Sequence, residues 1–165
     1  MPNVEFHYVL LGALAIALVV AAITDIRRRE IDNWLNAAIA LAAPLYWWAS
    51  GLGLWPDVVW QLGIAIITFA ICAGLFALRA MGGGDVKLLA ALALWISPGW
   101  FLKLIVMMAL LGGLLTVVLA AWHAIRRRSE RLAIPYGVAI SSAGLWVLAS
   151  QLFGPALPAF AAGIG

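Results

Sequence analysis

The sequence predicts an all-α integral membrane protein, a bundle of six transmembrane helices in which the fourth helix is short. Hydrophobic residues make up 66% of the 165-residue chain and charged residues only 10%, with a mean hydropathy of +1.08. In soluble domains about a quarter of the residues are charged. Most of the chain also divides into apolar stretches of about 20 residues, the length that crosses a hydrocarbon core of roughly 30 Å. We therefore expect one membrane domain over residues 1–165, without a separate soluble domain.

Other classes of protein fit the composition poorly. A membrane β-barrel would alternate polar and apolar residues, whereas the stretches here are apolar all round. Cys72 is the only cysteine, so no intramolecular disulfide or cysteine cluster for zinc is expected. His7 and His123 are far apart in the predicted topology, and we expect neither a metal site nor a cofactor. The net charge of +3 does not indicate nucleic acid, because the positions of the basic residues explain it better.

The predicted segments follow one another with short connections. They are residues 8–24, 34–50, 58–78, 86–96, 100–122 and 134–153. Pro44 is expected to kink the second segment. The fourth would rise only about 16 Å as a helix before Ser97-Pro98-Gly99 interrupts it. It therefore either begins inside the membrane or packs against longer neighbours. In the fifth, Gly112-Gly113 would let helices approach closely.

The basic residues indicate the orientation of the bundle. With six spans, all lysines and arginines except Lys103 lie in connections on one face. They are Arg27, Arg28, Arg29, Arg79, Lys87, Arg126, Arg127, Arg128 and Arg131. Since lysine and arginine are enriched in cytoplasmic connections, we expect this face to be cytoplasmic and both termini to lie outside. The arginines after the first segment are also expected to contact anionic membrane lipids.

Tryptophans fall mainly at the opposite boundary of the predicted bundle. They are Trp47, Trp48, Trp55, Trp60, Trp95 and Trp100. Such a distribution is typical of an interfacial aromatic belt.

The stretch from Met81 to Lys87 (M-G-G-G-D-V-K) is the first candidate site. An ionisable residue at the edge of an apolar segment is costly to bury, and therefore indicates a functional site. Glycines permit left-handed backbone conformations and close approach of another chain, which suits a loop that admits a peptide. The alternative is a flexible hinge between two membrane helices.

Two aspartates share one predicted depth. Asp25 ends the first segment and Asp85 begins the fourth, both on the cytoplasmic side. Two carboxylates in a site of low dielectric cannot both ionise easily, so they share a proton and one pKa rises. The ionised member can then draw a proton from water while the protonated member polarises a carbonyl. We assign neither role to either residue, since such a pair titrates as a unit.

Three motifs resemble those of type IV prepilin peptidases, which are intramembrane aspartyl proteases. Gly82-Gly83-Gly84-Asp85 fits their G-x-G-D signature. The stretch from Asp25 to Asn33 (D-I-R-R-R-E-I-D-N) resembles D-x-x-x-R-x-I-P-N. Ile134-Pro135-Tyr136-Gly137 resembles the I-P-[FY]-G motif before the last helix. The motifs follow the family's order and together extend over nearly the whole chain.

The resemblance implies a membrane aspartyl endopeptidase that cuts the leader peptide of prepilin-like proteins after a glycine. Cleavage would occur at the cytoplasmic face of the inner membrane, with Asp25 and Asp85 as the catalytic pair. The substrate would present its leader peptide and first transmembrane helix. The motif residues expected to support the site are Gly82, Gly84, Arg29, Asn33, Pro135, Tyr136 and Gly137.

The chain also departs from the family pattern. Asp32 stands where the family has proline, so the sequence does not by itself fix the rigid turn after Arg29; the departure touches neither Asp25 nor Asp85. Paired C-x-x-C motifs and the large cytoplasmic loop of the bifunctional enzymes are missing. The chain is therefore similar to the short peptidases of Tad/Flp pilus systems, which implies cleavage without N-methylation of the product.

Several alternatives stay open on the sequence alone. Lys87 can stabilise a carboxylate or meet an acidic residue of the substrate, or it can be an interfacial lysine that extends to the headgroups. Within the enzyme class, a preflagellin-type or another G-x-G-D peptidase would use the same dyad. From another class, a small transporter or pilus-assembly factor would bind a proton or cation at Asp25 and Asp85. A transporter is expected to show paired broken helices in an internal repeat, and the sequence has one such helix and no convincing repeat.

Overall fold

The computed structural model describes residues 4–126 and 136–153, and their regular structure is helical. The helices are α1 Val4–Arg28, α2 Asn33–Ser50, α3 Val59–Ala77, α4 Gly83–Ala93, α5 Pro98–Arg126 and α6 Tyr136–Phe153. A short turn, Leu54–Val58, with an extended backbone at Trp55, leads into α3. The predicted all-α class, the six helical segments and the short fourth helix are thus confirmed.

The helices differ in their ability to cross a bilayer. By length and composition, three stretches of the described residues are long and apolar enough to span: Glu5–Arg28, Leu54–Ala77 and Pro98–Trp122. Tyr136–Leu152 is a shorter apolar helix. Because these helices leave large apolar side chains exposed over most of their length, the molecule has the surface expected of a membrane protein.

Helix α4 lies at the centre of the bundle. It packs against α2, α3 and α6, and Leu88 and Leu92 are fully buried. Of the two explanations for the short fourth segment, packing against longer neighbours is therefore observed. A central helix covered on three sides holds its first turn, which carries Asp85, in a fixed place.

The outer helices complete the bundle around α4. Helix α1 packs against α2 and α6, and α5 packs against α6. A methyl group at Gly112 would lie 3.2 Å from the Tyr136 ring, so this glycine brings α5 close to α6 as expected. Helix α2 continues through Pro44 and ends at Ser50, where Gly51 adopts a left-handed conformation.

Two of the six tryptophans expected in an interfacial belt are internal packing residues. Trp95 is buried, and its indole N–H donates to the Ile39 carbonyl at 2.9 Å. The Trp47 indole N–H donates to the Leu94 carbonyl at 2.7 Å. Both bonds tie α2 to the end of α4, and sequence position alone does not separate such residues from Trp48, Trp55 and Trp60, which are exposed.

Candidate active site

Two buried carboxylates face the same space at one end of the bundle. Asp25 lies in the last turn of α1 and Asp85 in the first turn of α4. They are 5% and 8% exposed, an unusual degree of burial for aspartate. Both line two adjoining cavities, a larger one of about 700 Å³ and a smaller one of about 330 Å³. The structure therefore brings together the two aspartates that the sequence singled out.

Asp25 is held by the start of α6. The backbone N–H of Val138 donates to Asp25 Oδ2 at 3.1 Å. The first N–H groups of a helix have no partner within the helix and carry its positive dipole end. This contact joins two elements more than a hundred residues apart, and it stabilises a negative charge on Asp25.

Asp85 lies beside Asp25, at the start of the central helix α4. Helix α4 is shorter than the three helices that are long enough to span a bilayer. Burial, together with the charge of Asp25, raises the pKa of Asp85 to about 6. The backbone N–H of Gly82 acts in the opposite direction. A carboxyl group with a pKa near 6 can both hold and release a proton under physiological conditions, as acid–base chemistry requires.

Three motif glycines provide room around the carboxylates. A methyl group at Gly137 would lie 2.7 Å from Asp25 Oδ2, and one at Gly82 would lie 2.9 Å from Asp85 Oδ2. At Gly84 it would lie 3.1 Å from Ile31 Cβ. None of the three adopts a positive φ; in the described residues Gly51 is the one glycine that does. Of the two properties of glycine named above, close approach is therefore the one used at Gly82, Gly84 and Gly137.

Two arginines line the larger cavity. Arg29 follows the end of α1 and Arg79 follows the end of α3, and both have left-handed backbones with φ of 56° and 57°. This conformation is costly for a residue with a Cβ atom. Sequence reasoning identified Arg29 but missed Arg79, although its position just before the glycines is a usable signal. Two cations on the wall of the cavity that contains both carboxylates partly offset the negative charge of the site.

The side of α2 next to the dyad is fixed by polar contacts. Lys87 Nζ donates to Asn33 Oδ1 at 2.7 Å, and Asn36 Nδ2 donates to the Gly84 carbonyl at 3.2 Å. Of the two explanations for Lys87, direct pairing with a carboxylate of the described residues is not seen. Asn33 and Lys87 both line the smaller cavity, so they form its wall. Asn36 was missed by sequence reasoning.

The departure at Asp32 leaves the turn intact. Asp32 has φ of −61°, which lies within the range of proline. Its carboxylate pairs with the exposed Arg28 guanidinium at 2.6 Å, away from both cavities. The connection from α1 to α2 thus keeps a conformation that proline can adopt.

The remaining predicted residues belong to the last motif. Tyr136 lines the larger cavity, and Gly137 borders Asp25 as described above. Pro135 lies outside the described residues. Ile31, the isoleucine of the first motif, lines the smaller cavity. Sequence reasoning missed Phe76, which lines the larger cavity.

The arrangement can perform acid–base chemistry on a water molecule. Two neighbouring carboxylates that share a proton supply a base and an acid at one place. The cavities beside them are large enough for a stretch of peptide chain, and the arginines and backbone N–H groups offer hydrogen-bond donors to its carbonyl groups.

Comparison with known proteins gives one match. Residues 12–121, about two-thirds of the chain, match the model of the type IV leader peptidase family. No curated protein and no solved structure matches the chain. The matched region contains both aspartates and the glycine motif, and it ends before α6. The chain belongs to the type IV leader peptidase family, whose members are aspartic-type peptidases.

Proposed function

We propose that this protein is a membrane aspartyl endopeptidase that removes the leader peptide of prepilin-like proteins at the cytoplasmic face of the inner membrane. The observation that carries the proposal is the pair of buried carboxylates, Asp25 and Asp85, on the wall of one cavity. Family membership supports the reaction class. The pair would activate water for hydrolysis of a peptide bond.

The proposed reaction needs one proton shared by the dyad. Asp25 accepts an N–H at the start of α6 and is the ionised member, while Asp85, with its raised pKa, holds the proton. The ionised carboxylate takes a proton from water, and the resulting hydroxide attacks the scissile carbonyl carbon. The protonated carboxyl donates its proton to the carbonyl oxygen as the tetrahedral intermediate forms. Return of a proton to the amide nitrogen releases the amine and a new carboxyl group.

The proposed orientation places this chemistry on the cytoplasmic side. Both aspartates lie at the end of the bundle that carries Arg28, Arg29 and Arg79, and basic residues favour the cytoplasmic face. We further propose cleavage without methylation of the product, as in the short Tad/Flp-type enzymes, because the chain has a single cysteine and no large cytoplasmic loop.

Cleavage of a co-expressed prepilin-like protein tests the proposal. The wild-type protein should produce the mass shift of leader removal, and Asp25→Asn and Asp85→Asn should abolish it, because neither amide can serve in the proton exchange. Asp57→Asn is the matched control, since Asp57 is an exposed carboxylate before α3 and should leave cleavage unchanged. Full cleavage by an expressed Asp25→Asn or Asp85→Asn protein would rule out the dyad.

A further inference from the structure

A second cavity of about 550 Å³ opens on the side of the bundle, between α2 and α3 with α4 beneath it. We call it the lateral groove. Each helix lines it with one stripe of residues at spacings i, i+3, i+4 and i+7, which lie on one helix face. The stripes are Asn33, Asn36, Ala37 and Ala40 on α2, Leu62, Ala65, Ile66 and Phe69 on α3, and Lys87, Ala90 and Ala91 on α4 with Leu94 directly after its end.

The walls of the lateral groove suit another helix. The stripes extend over about 10 Å along the helix axes. Ala37, Ala40 and Ala90 have small side chains that let the backbone of a partner approach closely. The opposite wall supplies Ile66 and Phe69, which are 68% and 49% exposed. An apolar helix can therefore pack along the groove at membrane depth.

The polar end of the lateral groove is next to the dyad. Lys87 and Asn33 line both this groove and the smaller cavity that contains Asp25 and Asp85. The Lys87 ammonium donates to a neutral amide oxygen, and no carboxylate among residues 4–126 and 136–153 pairs with it. Within the described part of the chain it is thus a cation without a direct ion-pair partner at the mouth of an apolar groove.

A buried acceptor gives an independent sign of a missing partner. Asn36 is 3% exposed and lines the lateral groove. Its amide nitrogen donates to the Gly84 carbonyl, but its Oδ1 has no donor among the described residues. A buried acceptor without a donor is costly. Rotation of the Asn36 amide toward the groove would expose Oδ1, and an N–H group in the first turn of an incoming helix is free to donate to it.

We infer that the lateral groove receives the apolar helix that follows the cut in the substrate, and that Lys87 pairs with an acidic residue in the first turn of that helix. This inference rests on the proposed function. Residues just before the substrate helix would then continue past Asn33 and Lys87 into the cavity of the dyad. A carboxylate is favoured near a helix N-terminus, so charge and helix dipole agree. The groove would position the scissile bond, while the dyad cuts it.

Charge reversal tests the pairing at Lys87. The probe is the prepilin-like protein that the wild-type enzyme cuts in the experiment above, with its first-turn acidic residue intact or replaced by lysine. Lys87→Glu should slow cleavage of the intact probe by about tenfold or more, equivalent to about 1.4 kcal/mol. The lysine probe should restore cleavage by Lys87→Glu to within about threefold of the wild-type pair. Failure of the lysine probe to restore cleavage would overturn the pairing.

Filling the lateral groove tests where the helix docks. Ala40→Phe should raise KM for the probe with little change in kcat, because bulk in the groove displaces the helix rather than the dyad. The matched control is Ala120→Phe, at an exposed position of α5 outside the groove, and it should cut like the wild type. Equal KM values for the three proteins would overturn docking in the groove.

Crosslinking gives a readout that does not depend on cleavage. A photo-reactive phenylalanine analogue at Ile66, inside the lateral groove, should crosslink to the helix of the probe. The same analogue at Ile67 should not, because Ile67 is 60% exposed but faces away from the groove. Crosslinks to lipid alone from both positions would overturn the inference. Asp25→Asn and Asp85→Asn act on cleavage and not on docking. If these substitutions abolish cleavage but the analogue at Ile66 gives no crosslink to the probe, docking in the lateral groove is refuted while the proposed peptidase function stands.

Discussion

Gly137 leaves the space that Asp25 occupies at the start of α6. A Cβ atom there would lie 2.7 Å from Asp25 Oδ2 and 2.8 Å from Ile31 Cδ1. Both distances are shorter than van der Waals contact, and the carboxylate is also fixed by the Val138 N–H. We therefore expect Gly137→Ala to lower kcat for leader cleavage by about tenfold or more, equivalent to about 1.4 kcal/mol of transition-state stabilisation.

Alanine substitutions at two other glycines distinguish this effect from a general effect on packing. Gly144→Ala would place a methyl group 2.9 Å from Leu18 Cδ1, away from the dyad, and Gly113→Ala would meet nothing within 4 Å. Both proteins should keep kcat near the wild-type value in membranes that contain equal amounts of each variant. A kcat loss as large in Gly144→Ala as in Gly137→Ala would contradict a specific role for the space beside Asp25.

The proton shared by the dyad predicts a bell-shaped pH profile of kcat/KM. At low pH both carboxyl groups are protonated and no base is present, and at high pH both are ionised and no acid is present. The pKa of Asp85 near 6 belongs to the alkaline limb, so activity should fall as the pH rises through and beyond this value. Chelators should leave the profile unchanged.

A substitution at Arg29 should shift the pH profile of kcat/KM. The Arg29 guanidinium lines both cavities and favours ionised carboxylates, so Arg29→Gln should shift the alkaline limb to higher pH by about half a unit or more. Arg28→Gln is the matched control, because Arg28 is exposed, pairs with Asp32 and lines neither cavity. A shift to lower pH in Arg29→Gln, or equal shifts in both variants, would show that Arg29 does not act on the dyad.

At the level of the helices, the sequence predicted more than it did at the level of contacts. Apolar length and the Gly/Pro interruptions were sufficient for six helices and a short α4, because these signals are local. Central burial of α4 was only one of two alternatives, since sequence length does not say which neighbours cover a helix. The contacts that place Asp25, from Val138 and Gly137 on α6, come from an element more than a hundred residues away.

The glycine motif illustrates two possible uses of one residue type. Glycine permits both left-handed backbone and close packing, and the sequence alone does not distinguish these uses. In the structure Gly82 and Gly84 serve close packing, while the left-handed positions at this end of the bundle are Arg29 and Arg79. The polar contacts of Asn33 and Asn36 with α4 explain why the dyad keeps its place although α1 and α4 are far apart in the chain.

At the scale of the whole molecule, the six-span orientation remains a prediction that surface labelling can check. The dyad, Arg29 and Arg79 lie at one end of the bundle, and the turn that carries Asp57 lies at the other end of α3. Basic residues are retained on the cytoplasmic side. If the chain crosses as proposed, Arg128 and Asp57 are therefore on opposite faces of the membrane.

Single cysteines report these faces independently of activity. In a Cys72→Ala background, which removes the one natural cysteine, Asp57→Cys should react with a membrane-impermeant maleimide added to intact spheroplasts. Arg128→Cys should react only after the membrane is opened, because its connection would face the cytoplasm. The dyad would then act on the side where newly made substrate carries its leader. Reaction of both cysteines from outside would break the six-span arrangement and with it the placement of cleavage, although the shared cavity of Asp25 and Asp85 would still support a peptidase.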